Sequence, residues 1–161
     1  MLLTLYSSPM KIAVLIITAL FASATAPAET PREYRQRVVH ISDGDTFDVD
    51  IMVMGEPTRV RLLRIDTPEK GRFAKCAEED SAAKAASAYI ATLIASGKSI
   101  VWLRGGRRDL YNRPLVEAEI SLNRRRLNLS DAMIAAGHAV AYDGGKKADW
   151  CALLRKPAND N

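Results

Sequence analysis

The stretch Thr46–Ile65, TFDVDIMVMGEPTRVRLLRI, decides the fold. Its first half alternates: Phe47, Val49, Ile51 and Val53 against Thr46, Asp48 and Asp50. That period of two predicts a half-buried strand over Thr46–Met54 with the phenylalanine set facing inward. Gly55-Glu56-Pro57 predicts a turn, and Arg59–Ile65 a returning strand, so the pair reads as a hairpin. Outward from it, Arg37–Ile41 predicts a preceding strand, joined through the Asp43-Gly44 turn.

Beyond Pro68, a charged loop leads to an alanine-rich segment, Ala77–Ser96, which predicts a helix. Glu78, Glu79 and Asp80 in its first turn complement the helix dipole, and Gly97 suits its C-terminus. Ala82, Ala86, Tyr89, Leu93 and Ile94 form its expected apolar face. Two more strands are expected at Ser99–Leu103 and Pro114–Ile120, separated by a polar loop containing Gly105-Gly106 and Asp109–Asn112. A second helix, capped by Asn128 or Ser130, ends at Gly137, and a third spans Lys146–Leu154. Three strands, a helix, two strands and two helices predict an α+β fold, with short strands curling around a helix into a small barrel.

The 161 residues suit one domain, and 48% hydrophobic with 26% charged residues excludes a disordered chain by composition. Residues 1–28 carry Lys11 as their only charge, then an apolar run Ile12–Phe21 and the small-residue end Ala26-Pro27-Ala28. This predicts a cleaved export signal, with Met1 or Met10 as its start. The alternative is an uncleaved anchor, but the run falls short of the ~20 residues a span needs. Residues 29–36 read as a flexible polar lead, 37–156 as the domain and 157–161 as a tail. Losing residues 1–28 lowers the formal net charge from +4 to +3, which is compatible with a polyanionic partner. Arg104, Arg107, Arg108 and Arg113 cluster in one stretch, and Arg124-Arg125-Arg126, read as a solvated loop, in another. Export would place Cys76 and Cys151 in an oxidising compartment, where an even count predicts a disulfide; two free buried thiols are the alternative.

Three polar motifs carry the chemistry: Asp43-Gly44-Asp45-Thr46, then Arg61 through Asp66-Thr67-Pro68-Glu69, then Asp109-Leu110-Tyr111-Asn112-Arg113. Asp45 shares the strand parity of Phe47 and Val49, so it points toward the apolar side and needs a cation or an arginine as partner. Asp66 ends the third strand; two carboxylates and a strand-end carbonyl are suitable oxygen ligands for Ca²⁺. Arg61 and Arg113 offer planar, permanently charged forks to phosphate oxygens. Glu69, across the Pro68 turn, can take a proton from a water or orient it. Asp43 reads as a turn residue. A plain Asp45–Arg61 ion pair is the structural alternative. Parity places Arg61 and Asp66 on opposite faces, so both reach one site only if the strand bends between them.

In these motifs the sequence resembles the staphylococcal (micrococcal) nuclease family, from about Val38 to Tyr142. Val60 through Glu69 is similar to the family's central motif nearly residue for residue. The resemblance implies an OB-type five-stranded barrel with three helices. It implies Ca²⁺ held by Asp45, Asp66 and the Thr67 carbonyl, with Arg61 and Arg113 on the phosphoryl group and Glu69 as base. It also implies cleavage of DNA and RNA to 3′-phosphorylated ends, with Tyr111 and Tyr142 packing against the nucleotide. Leu110 departs from the pattern, standing where a basic residue would help hold a phosphate. The expected protein is thus a secreted or periplasmic, Ca²⁺-dependent nuclease, monomeric, with no stable membrane insertion after signal cleavage. The rival reading is a non-catalytic OB module that binds single strands by charge and stacking. A cation-stabilised envelope protein is a third.

Overall fold

A computed structural model describes residues 32–53 and 56–155. The expected export signal, residues 29–31 of the lead, the 157–161 tail, and Met54 and Gly55 of the hairpin turn lie outside the described residues. The elements in chain order are β1 (Glu33–Asp43), β2 (Thr46–Val53), β3 (Glu56–Leu62), β4 (Ile65–Asp66), α1 (Ala77–Ser96), β5 (Ile100–Arg108), β6 (Pro114–Leu122), β7 (Arg125–Asn128), α2 (Leu129–Ala135), β8 (Val140–Ala141) and α3 (Trp150–Arg155). Neighbours β3-β2-β1-β5-β6 pair antiparallel, and a parallel β3–β6 pairing closes the ring. The result is a closed five-stranded mixed barrel with three helices, the OB-type α+β fold expected. Strand β7 hairpins onto β6 outside the closure, and β4 pairs with β8 as a separate two-stranded ladder.

The core follows the sequence pattern where strands are regular. Phe47, Val49, Val60 and Leu62 are buried, as are Val101, Leu103, Val116, Ala118 and Ile120 from the facing strands. Ile51, expected inside, is exposed, because the β2–β3 register shifts between Val49 and Met52 and breaks the alternation. Helix α1 has the predicted bounds; of its expected face Ala86 and Ile94 are buried and Tyr89 and Leu93 pack partly buried against the core, while Ala83 and Ile90, not expected, complete the buried line. Small alanines let the barrel approach closely: a Cβ at Gly44 would stand 2.9 Å from the Ala86 methyl and 3.1 Å from Thr67 Cγ2. Gly44 therefore sets the turn carrying Asp43 and Asp45 directly under α1 and beside Thr67.

Several expectations are corrected. Strand β1 begins at Glu33, inside the segment assigned to the lead, and Glu33–Arg37 pairs with Arg104–Ile100. Gly105 and Gly106 belong to β5 rather than a loop; a Cβ at Gly105 would meet the Leu115 carbonyl oxygen at 2.6 Å, so the close strand pairing requires glycine. The third helix starts at Trp150, not Lys146. The Arg124 triplet is no solvated loop. Only Arg124 is in the turn, at φ 64°, while Arg125 and Arg126 are in β7, and Arg126 pairs with Glu33 and Glu119 over the Trp102 ring. Cys76 and Cys151 form a disulfide that ties the start of α1 to α3. No described helix is long and apolar enough to cross a membrane.

Candidate active site

The first motif is fixed by backbone pairing. Leu62 N donates to Asp45 O at 2.8 Å, and Thr46 pairs with Arg61 across β2–β3. That register sets the Asp45 carboxylate against the Arg61 guanidinium in a buried ion pair, the contact that the structural alternative for Asp45 expects. The Thr46 hydroxyl donates 2.8 Å to the same carboxylate. Burial pushes the Asp45 carboxyl up to about 6; Arg61 pulls it down, Asp43 adds to the rise and Thr46 offsets it. Asp43 is more than a turn residue, because its Oδ1 is buried with no hydrogen-bond partner beside Asp45.

The bend that parity demanded is present. After Leu62 the chain turns at Leu63-Arg64, with Arg64 at φ 67°, before resuming as β4. The turn is pinned on three sides: Leu63 N donates to Val116 O at 2.9 Å, Ser130 Oγ to Leu63 O at 2.9 Å, and Tyr142 N to Arg64 O at 2.9 Å. Arg64 is thereby held in the left-handed region at a cost of about 1 kcal/mol. The consequence is that Arg61 Nη2 reaches the carbonyl of Ile65 at 3.3 Å, next to Asp66. The Arg61 guanidinium thus lies against the backbone of the residue before Asp66.

Asp66 is 1% exposed and half satisfied. Its Oδ2 accepts from Ala148 N at 3.1 Å and Trp150 Nε1 at 3.3 Å, while Oδ1 has no hydrogen-bond partner and faces Lys147 Nζ at 3.5 Å. Lys147 also bonds the Glu69 carboxylate. Burial works against the Lys147 charge, but the Glu69 bond and the Glu69 and Asp66 charges outweigh it and raise its pKa. Thr67 is buried, and the Glu69 amide donates to the buried Glu79 carboxylate at 3.3 Å, so α1 fixes the start of the Glu69 loop. The Glu69 side chain itself is 40% exposed.

These residues fit a hard cation. Asp45, Asp66 and the Thr67 carbonyl offer only oxygen, and Asp66 Oδ1, like Asp43 Oδ1, is buried without a hydrogen bond, an unmet acceptor of the kind a cation satisfies. A different trio, Cys76, Glu79 and Cys151, has ligand atoms within 4.8 Å of one another. Its sulfurs are consumed in the disulfide, and Glu79 already accepts from the Glu69 and Lys75 amides, so it is a structural knot rather than a metal centre.

The third motif lies at the same end of the barrel through β3–β6 closure, because Arg61 pairs with Leu115, two residues beyond Arg113. Asp109 organises the loop: it accepts from Tyr111 N, Arg113 N and Arg113 Nε at 2.9, 2.9 and 2.6 Å. Burial opposes its charge, yet these bonds hold its carboxyl below the usual value. No described contact joins Arg113 to Arg61; its guanidinium sits 5.3 Å from the Tyr111 ring centre. Tyr111 and Leu110 project outward, 81% and 100% exposed. Tyr142, by contrast, lines a cavity of about 260 Å³ with Arg61, Arg64, Arg107, Arg108 and Leu115. Its hydroxyl donates to Gly145 O at 3.0 Å.

A bent strand carrying Arg61, Asp66 and Glu69, facing the Asp109–Arg113 loop, is matched over residues 59–155 by the family model described as staphylococcal nuclease homologue. The chain belongs to that family. Asp45 lies outside the matched residues and is brought to the site by the barrel. An uncharacterized protein of Bacillus anthracis is 33% identical over 106 residues, which is 65% of this chain and 45% of that protein. Protein ParB of Escherichia coli is 55% identical over 38 residues, 24% of this chain and 20% of its own length. The chain thus spans less than half the length of either curated relative.

Within this staphylococcal nuclease frame, sequence reasoning missed Lys147, the Ala148 amide and the indole of Trp150, all bonded to Asp66 or Glu69 from about 80 residues away. The one available signal was Cys151, whose bridge to Cys76 draws this segment toward α1.

Proposed function

We propose that this chain is an exported, Ca²⁺-dependent nuclease that hydrolyses phosphodiesters of DNA and RNA without strong sequence preference and leaves 3′-phosphorylated ends. Membership of the nuclease family supports a nucleic-acid hydrolase in general terms. The observation that carries the finer reading is the bend at Arg64, which brings Arg61, Asp66 and the Glu69 loop to one end of the barrel with a buried oxygen left unpartnered. The Cys76–Cys151 disulfide and the leader composition support export to a secreted or periplasmic location.

In this mechanism Asp45, Asp66 and the Thr67 carbonyl would hold the ion. Bound Ca²⁺ would neutralise phosphate charge and acidify associated water. Glu69, half in solvent, accepts a proton as the water oxygen bonds to phosphorus. The bond from phosphorus to the 5′ oxygen breaks, and that oxygen takes up a proton and departs as an alcohol. Arg61 donates to the phosphoryl oxygens as their charge grows, and Arg113 joins it once its guanidinium turns from Tyr111. Tyr142 and the arginine-lined cavity receive the flanking nucleotide. A purely binding OB module is less well supported, since the guanidiniums of Arg126 and Arg35 lie 3.9 and 5.9 Å from the Trp102 ring centre and compete with a base for it. The test is to digest single-stranded DNA and RNA oligonucleotides with the purified protein and identify the new ends. We expect 3′-phosphates from both. Binding without cleavage, or 5′-phosphate ends, would contradict the reading.

A further inference from the structure

Lys147 stands in the segment between β8 and α3, and that segment is anchored on both sides. Upstream, Tyr142 N bonds Arg64 O at 2.9 Å and Tyr142 OH bonds Gly145 O at 3.0 Å. Downstream, Ala148 N and Trp150 Nε1 bond Asp66 Oδ2, and Cys151 is bridged to Cys76. Four of these bonds, all but the internal one from Tyr142 OH to Gly145 O, tie the Lys147 segment to the rest of the fold and deliver its backbone to the site. Its ammonium bonds Glu69 and faces Asp66 Oδ1, the buried oxygen that nothing else hydrogen-bonds. The side chain is 46% exposed, so it can swing into solvent without disturbing the core.

One oxygen does not accommodate an ammonium and a divalent ion together, because the two cations repel. Without either, Asp66 and Glu69 face one another uncompensated. We propose that Lys147 is a positioning residue that takes the cation's place in the ion-free site, holding Glu69 and Asp66 together, and that Ca²⁺ binds only by displacing it. This rests on the reading of the site as a metal-dependent nuclease centre. Displacement would have a useful consequence: the same event that loads the ion frees the Glu69 carboxylate to accept a proton.

The test is calorimetric titration of Ca²⁺ into the purified wild-type protein and its Lys147→Met and Lys147→Arg variants. Removing the competing charge should tighten Ca²⁺ binding about tenfold in Lys147→Met, the scale of one charge-assisted hydrogen bond. Lys147→Arg, which keeps the charge, should bind no tighter than wild type. Equal affinity in Lys147→Met and wild type, or no measurable binding by either, overturns the proposal. Should Lys147→Met fail to fold, nitrogen NMR of the wild-type lysine ammonium groups gives the same answer. Ca²⁺ should move the Lys147 signal to the free-lysine position, and an unmoved signal overturns the proposal. Cleavage assays on the same preparations separate the two ideas. Ca²⁺-dependent cleavage by wild type with unchanged affinity in Lys147→Met sinks the lysine role alone. Tighter binding in Lys147→Met without cleavage by wild type sinks the nuclease mechanism alone.

Discussion

The charged cluster around Trp102 and the one around Arg61 draw on the same residue types, yet their carboxylates end up in different states. Around Trp102, every carboxylate oxygen of Glu33, Glu117 and Glu119 lies within 3.6 Å of a guanidinium nitrogen of Arg64, Arg104 or Arg126. Those side chains are 19–55% exposed, so water screens what the arginines leave. Around Arg61 the side chains of Asp45 and Arg61 are 5% and 10% exposed, and Asp66 and Asp43 each keep a buried oxygen without a hydrogen bond, the one on Asp66 facing only the half-exposed Lys147 ammonium at 3.5 Å. Burying charge without full compensation costs several kcal/mol, so a fold tolerates it where a ligand completes the set. The first cluster is paired and screened by water; the second is buried and incompletely hydrogen-bonded.

Substitutions can break or sharpen that contrast. The largest effect belongs to Arg61→Ala. It should lower kcat/KM at least a hundredfold. Leaving Asp45 buried and unpaired should also cost about 3–5 kcal/mol in a urea unfolding curve. A loss below tenfold with unchanged stability would leave the buried pair with neither catalytic nor structural weight. Glu69→Gln should reduce kcat by roughly 10²–10⁴ while the melting curve barely moves, since this side chain is 40% exposed. Full activity in that variant would remove Glu69 from the mechanism. Replacing both cysteines by serine opens a loop of 75 residues and should cost roughly 4 kcal/mol on the chain-entropy model, read from the denaturation midpoint. The smallest effect is expected from Arg126→Ala in the Trp102 cluster: within about 1 kcal/mol in stability, with cleavage unaffected. A large loss of cleavage there would erase the distinction between the clusters.

The same contrast explains what could be read in the sequence. Helix α1 was legible to the residue because acids open it and Gly97 closes it. The β2–β3 hairpin was legible because Phe47, Val49, Val60 and Leu62 keep their period. Glu33–Gln36 was not, since this polar end of β1 pairs with β5 without carrying an apolar alternation. At the site, Asp45, Arg61, Asp66 and Glu69 were legible as residue types, but their convergence was not. It depends on Arg64 adopting a positive φ that arginine does not advertise, held there by Val116, Ser130 and Tyr142 from distant segments. Lys147 was not legible for a related reason: β8 and the Asp66 bonds bring it to the site and leave no local pattern, and the expected Cys76–Cys151 bridge draws in the segment without singling out a lysine.

The central claim is that the unfinished carboxylate cluster is completed by a divalent ion to cleave nucleic acid. Its most direct test is digestion of single- and double-stranded DNA by the purified protein in Ca²⁺ and in excess chelator. The account predicts cleavage in Ca²⁺ that chelator abolishes and that restored Ca²⁺ recovers. Equal cleavage with chelator present would contradict it.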